Sequence, residues 1–383
     1  MPVKSVPPKP FTLGIEEEYL LVECDSGKLA ADPPEALFKR CAKALPKMVT
    51  HEFLRAQIEV GTPVCHNIAE ARDNLGFLRQ TVTEIANHYD LTIIAASSHP
   101  SAFWSEQQHT RLDRYDLLEE DLQGVVRRLV TCGMHVHAGI ADDDQRIDLM
   151  NQCVYFLPHL LALSTSSPFW EGVDTGLKSY RLSVFNELPR TGFPDHFGSW
   201  SDYQRHVEVL VKAGLIKDAS MLWWDLRPSC RYPTLEMRIT DVCSRIDDAL
   251  CIAALYLATL KMLTNLRDNN QRWREYSPML IRENRWRAQR YGIDAGMIDF
   301  RLETKVDFAE LVEQWLELLK QSAEQLDCVN EIVHARTILQ QGTSAHRQVA
   351  IYQQAIADGN SNAQALNLVV RWLIKETAQS ASA

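Results

Sequence analysis

Seven side chains in this sequence have the types and spacing to hold metal ions and steady a phosphate. Glu16 and Glu18 lie two apart in FTLGIEEEYLLV, His135 and His137 two apart in CGMHVHAGI, and Glu236 and Arg238 two apart in TLEMRITD; Glu59 completes the set in LRAQIEV. Carboxylate oxygens are the natural ligands of hard divalent cations such as Mg²⁺ and leave positions open for phosphate. A guanidinium matches phosphate in shape and charge. Four carboxylates on one surface repel one another unless cations sit among them. The set outlines a metal and phosphate site.

A spacing of two places both members on one face of a β-strand, so the four stretches (residues 11–22, 54–60, 132–140 and 234–241) predict four strands that split by parity. In the third, Cys132, Met134, Val136, Ala138 and Ile140 form an apolar face, while Gly133, His135, His137 and Gly139 form the other. Leu235, Met237 and Ile239 oppose Glu236 and Arg238; Leu54, Ala56, Ile58 and Val60 oppose Arg55, Gln57 and Glu59. In the first, Glu16 and Glu18 oppose Leu13, Ile15, Tyr19 and Leu21, and Glu17 turns to the apolar side, where it needs a partner from a helix. Glycines beside the histidines let a ligand approach the backbone closely.

Residues 91–96 predict a fifth strand, and 179–193 begin strand-like before a turn-rich loop. Helices are expected at 33–45, at 68–89 with Asn67 as cap, and at 148–163 with a kink at Pro158. Ser244 and Asp247 resemble a capping box opening a long helix through Leu266. Beyond residue 307 the pattern is helical over 308–321, 324–341, 345–357 and 363–377. The expected organisation is a flexible lead-in at 1–10, one α+β catalytic domain over 11–377 and a frayed tail at 378–383. Its mostly antiparallel sheet occupies about 11–241, and a helical part runs over about 244–377. The arginine-rich stretch 272–290 fits either a solvated amphipathic helix or an anion clamp, and Lys178 and Arg181 are candidates for the clamp role. No Walker A, GxGxxG or GxSxG pattern occurs, so a nucleotide would be held through metals and arginines.

With 40 basic and 50 acidic residues in 383, the chain carries a net charge of −10, which disfavours nonspecific binding to nucleic acid or anionic membranes. The longest apolar region, 249–266, is interrupted by Thr259, Lys261, Thr264 and Asn265 and reads as a buried helix, not a membrane span. The first ten residues lack the apolar run of a signal peptide. Nine cysteines without a CxxC pair suggest a reducing cytoplasm. The apolar helical tail would also suit a homodimer contact.

The fragments GIEEEY, QIEVGTP, AASSHP, GMHVH, SYRLSVFNELPRTGFP, WWDLRPSCRYPTLEMRI and RENRWRAQRYG, in this order and spacing, resemble the glutamate–cysteine ligase type 2, or carboxylate–amine ligase, family. The resemblance implies a glutamine-synthetase-like fold, with ATP and two or three Mg²⁺ ions on the inner face of a curved antiparallel sheet. It implies ATP-dependent amide formation through an acyl phosphate, glutamate and cysteine giving γ-glutamylcysteine. Glu16, Glu18, Glu59, His135 and Glu236 are similar to the family's metal ligands and Arg238 to the arginine that steadies the transferring phosphoryl group. His137, Arg181 and Arg227 join the expected site as a catalytic and two nucleotide-side residues. HxH also marks metal-dependent amidohydrolases, and a metal–ATP sheet also serves guanidino kinases or a non-catalytic binder; these remain the competing readings.

Overall fold

Strand β1 (Leu13–Glu23) is the axis of a seven-stranded sheet in a computed structural model that describes residues 11–380. The expected lead-in and residues 381–383 of the expected tail lie outside the described residues. The other strands are β2 (Val49–His51), β3 (Gln57–Gly61), β4 (Leu91–Ile94), β5 (Met134–Gly139), β6 (Leu226–Pro228) and β7 (Thr234–Met237). Their order is β6-β7-β5-β1-β3-β2, with β4 pairing the Leu20–Glu23 half of β1, and every pairing is antiparallel. The α+β expectation therefore holds, and β2 and β6 are the strands of this sheet that the pattern did not announce.

Helices cover the apolar face. Helix α1 (Ile68–Asn87), capped by Asn67, whose side chain accepts the Glu70 N–H at 2.8 Å, lies across β1 and β4. Helix α2 (Ile246–Asp268) packs on β5 and on α1. It is long and apolar enough to cross a membrane, yet most of it is buried in the core. Thr259 and Thr264 are absorbed there because their hydroxyls donate to the carbonyls one turn back. Helix α3 (Pro278–Tyr291) begins with a proline in its first turn, where the missing N–H costs nothing. Helices Phe308–Gln325, Val329–Val333, Ala335–Gln341, Ser344–Ala357 and Asn362–Ser380 complete the chain. The last reaches back to the sheet: the Ala95 N–H, just beyond β4, donates to Thr377 Oγ1 at 3.0 Å.

Four local expectations change. Residues 181–185 form a short helix (Arg181–Phe185) where a strand was expected, because Ser179 Oγ is tied to Asp241 and the Arg181 N–H to Ser167 Oγ, which turns the chain inward. The helix expected at 148–163 starts earlier, at Asp143 under an Asp142 cap, and is two helices joined by a 3₁₀ turn; Pro158 opens the second instead of kinking one. The helix expected at 324–341 is broken: the preceding helix runs on to Gln325, and Asp327, at φ 52°, separates it from the next. The Ser244 capping box does not form, since the Ser244 hydroxyl donates to the Ala95 carbonyl at 2.8 Å and Arg245 takes the cap position.

Candidate active site

Strand register stacks the chemical residues in three rungs across the open face. Thr50, Glu59 and Glu18 form one, Gly61, Glu16 and His135 the next, and Gly14, His137, Glu236 and Arg227 the third. Cross-strand neighbours share a face, so the parity argument is realised in space. Arg238, one residue past β7, extends the second rung: it pairs with Glu236 and lies 3.4 Å from His135 Nδ1. The chain brings all seven expected side chains together.

Glu16 is shared by two donor clusters, with His137 and Glu236 on one side and Glu59 and His135 on the other; the ligand atoms of each lie within 4.8 Å of one another. Its oxygens stand 3.3 Å from His135 Nδ1 and 3.4 Å from His137 Nε2. Glu18 accepts the Gly133 N–H at 2.7 Å, and Thr50 donates to Glu59. His137 Nδ1 is 2.9 Å from Thr234 Oγ1, and its buried Nε2 faces the Glu16 carboxylate.

The charges divide the face in two. Burial raises the Glu236 carboxyl, but Arg238 and Arg227 outweigh it and hold that group below the usual range. Arg227 spans Glu236 with contacts of 3.0 and 3.1 Å, and its remaining donors go to the Ser220 and Leu222 carbonyls. At the other end, burial and the nearby Glu59 push Glu18 up to about 7. Burial and Glu16 raise Glu59, and burial with Glu59 and Glu18 raises Glu52 well above a normal carboxylate. Burial and Arg238 push His135 down to about 4, so its imidazole is neutral and free to ligate. Clustered carboxylates short of cations, a neutral imidazole and a second imidazole nitrogen beside Glu16 are the donor set a divalent cation fits.

Glu52 is the residue the sequence reading missed. It precedes β3 in a loop, where no alternation points to it. A cleft of about 200 Å³ opens beside it, lined by Glu18, His135, Arg181 and Arg238 and walled by Phe53, Tyr115, Phe185 and Trp223. Arg181 is buried and directs its guanidinium to the Ile239 and Arg238 carbonyls at 3.3 and 3.1 Å. Lys178 instead lies 3.4 Å from Asp294. In the arginine-rich stretch, Arg285 is buried and spans Asp225 at 2.7 and 3.1 Å, while Arg287 and Arg290 bond carbonyls; α3 fastens the site's supports. On the opposite face Glu17 meets Arg79 of α1 through contacts of 2.8 and 2.7 Å, the helix-side partner its parity demanded.

A sequence profile describing glutamate-cysteine ligase family 2 matches residues 12–366. The chain belongs to this family. A Rhodospirillum rubrum protein provisionally named glutamate–cysteine ligase 2 is 60% identical over 371 residues, covering 96% of this chain and 95% of that one. A Paracoccus denitrificans protein of the same provisional name is 49% identical over 366 residues, covering 96% and 97%. Among solved structures, the glutamate–cysteine ligase of Francisella tularensis in complex with AMP aligns over 97% of this chain and 93% of its own, with a TM-score of 0.67 at 14% identity. A bifunctional glutathione synthetase from Pasteurella multocida aligns over 97% of this chain with a TM-score of 0.70 at 15% identity; the chain spans 53% of that protein. These structures share its fold. Membership in glutamate–cysteine ligase family 2 makes the chain an ATP-dependent carboxylate–amine ligase, and neither the amidohydrolase nor the guanidino-kinase reading gains support.

Proposed function

We propose that this ligase joins the side-chain carboxylate of glutamate, or of a related amino acid, to an amine, with cysteine the first amine to test. The observation that carries the reading is the three-rung array in which Glu16 serves two donor clusters at once. Glu16, Glu18, Glu59, His135 and Glu236 would hold Mg²⁺, joined by Glu52, and His137 presents its Nε2 beside Glu16. Bound Mg²⁺ neutralises phosphate charge and aligns the phosphates of ATP for attack. Arg227 fixes the Glu236 carboxylate, so that it need not reorganise when a ligand arrives. Arg238 and Arg181 both line the cleft and supply positive charge where a phosphoryl group leaves ATP for the substrate carboxylate. The amine then displaces phosphate, forming the amide. The apolar walls of the cleft exclude the water that would intercept the activated carboxylate.

Two further expectations belong to this reading. The nine cysteines are unpaired, consistent with a reducing cytoplasm. The bond between Ala95 and Thr377 supports taking residues 11–377 as one folding unit. The test is ADP release by the purified protein with Mg-ATP, scanning glutamate and other amino-acid carboxylates against a panel of amines that includes cysteine. Turnover that needs both substrates and vanishes in Glu16→Gln, with the fold kept, names the pair. Metal-dependent amide hydrolysis without ADP would overturn the reading.

A further inference from the structure

Asp241 lies at the end of the site's last strand segment with no exposed surface and touches none of the donor clusters. Its Oδ2 accepts the Ser166 N–H and the Ser167 hydroxyl, each at 2.8 Å, and its Oδ1 accepts the Ser179 hydroxyl at 2.9 Å. Ser167 Oγ in turn accepts the Arg181 N–H at 3.1 Å. One carboxylate thus ties the segments before and after residues 168–178 to the sheet and sets the first residue of the helix that carries Arg181.

Arg181 is an unusual cation. It is buried, yet among the described residues no carboxylate pairs with it; its guanidinium meets two carbonyls and lies 5.4 Å from the centre of the Phe185 ring. Burying a charge without a contact partner is costly, and the cost is bearable when a counter-charge stands behind it and a ligand arrives in front. Asp241 supplies the charge behind. Gly133, which bridges Asp241 in the sheet, supplies the room: a Cβ there would stand 2.5 Å from Arg181 Nη2. In the cleft the guanidinium shares the lining with Glu18 and the Phe185 ring and makes no direct ion pair there, which leaves it able to receive an anion.

We infer that Asp241 is a positioning residue, holding Arg181 through Ser167 so that the guanidinium receives an anionic group of the ligand in the cleft. This rests on the ligase reading for the ligand's identity, a carboxylate or a phosphoryl group, but not for the geometry. Because Asp241 acts through Arg181, removing it costs nothing more once Arg181 is gone. Independent structural damage adds.

The experiment is a double-mutant cycle on Asp241→Asn and Arg181→Ala, read as binding by calorimetry. The probes are a non-hydrolysable Mg-ATP analogue alone, then glutamate in its presence; thermal midpoints are recorded for each variant. Expected is a loss of roughly tenfold or more for one probe in either single variant, with the double variant no worse than Arg181→Ala. Loss confined to glutamate assigns Arg181 to a carboxylate, and loss confined to the nucleotide analogue assigns it to phosphate. Additive losses, or unchanged affinities with a lowered midpoint, overturn the inference. Ser167→Ala, which leaves the carboxylate and breaks the relay, must reproduce the Asp241→Asn loss should the latter fail to fold. Binding with no turnover for any amine would sink the ligase reading and leave the Asp241 result standing.

Discussion

Glu17 and Glu18 are adjacent, identical in chemistry and largely or wholly buried, and they meet opposite fates. Glu17 turns to the helix face, where Arg79 spans it, the Tyr19 hydroxyl donates to it at 2.5 Å, and the guanidinium's other bonds reach the Cys243 and Ser244 carbonyls. Both oxygens of the carboxylate are paired, and each nitrogen of the guanidinium has an acceptor. Glu18 turns to the open face, where Glu59 and Glu52 crowd it and its own hydrogen-bond donor is a backbone N–H. A charge completed by its own protein stabilises the fold. One left incomplete destabilises the unliganded fold and is completed by a ligand.

The sharpest way to break the comparison is at Arg79. Arg79→Met strands Glu17 in the core and is expected to cost about 3–5 kcal/mol, read as a large drop in the denaturant midpoint. A change below about 1 kcal/mol would mean that the pair is not the anchor described. Next, Glu18→Gln should do the reverse, raising the stability of the metal-free protein by about 1–2 kcal/mol through relieved repulsion while turnover falls at least 100-fold. A variant both less stable and inactive would erase the distinction between the faces.

His99 extends the comparison to pH. Its Nε2–H donates to the Gly27 carbonyl at 2.9 Å and its Nδ1 accepts the Ser101 and Ala102 N–H groups at 3.2 and 3.0 Å, an arrangement that admits only the neutral ring. Burial pushes its pKa from 6.5 down to about 4. The unfolded chain therefore binds the extra proton between those values, and stability falls as pH drops from about 6.5 to 4, by up to about 3 kcal/mol. Urea titrations at pH 7 and 5 should show the loss, and His99→Asn should remove the His99 share of it while His135 and His159, also pushed down to about 4 by burial, keep theirs. The smallest effect is expected from Thr50→Val, which strips Glu59 of its hydroxyl donor and should cost about 1 kcal/mol in the metal-free protein, less once Mg²⁺ is added.

What the sequence displayed of this site is what a period of two can display. Glu16, Glu18, Glu59, His135, His137 and Glu236 lie within strands, so parity assigns their face without knowledge of the fold. Glu52 sits in a loop, where no period exists, and only its spatial neighbours reveal it. Arg79 lies 62 residues from Glu17, and nothing local marks it among the polar residues of α1. The Arg181 helix and the Ser244 cap were misread for one reason: Asp241 and Ala95, distant in sequence, claimed the groups that local rules had assigned elsewhere.

The hydrogen bond from Ala95 to Thr377 spans 282 positions and joins the end of β4 to the last helix. During synthesis, β1, β3 and β5 exist long before that helix has been made. The β4 end of the sheet must wait with an N–H unanswered and its neighbouring surface uncovered. Closing so long a loop late is slow, and the waiting intermediate exposes sheet edge that other chains can join. Recovery of soluble enzyme should therefore depend on how quickly the final helix docks, a kinetic demand placed far from any catalytic group.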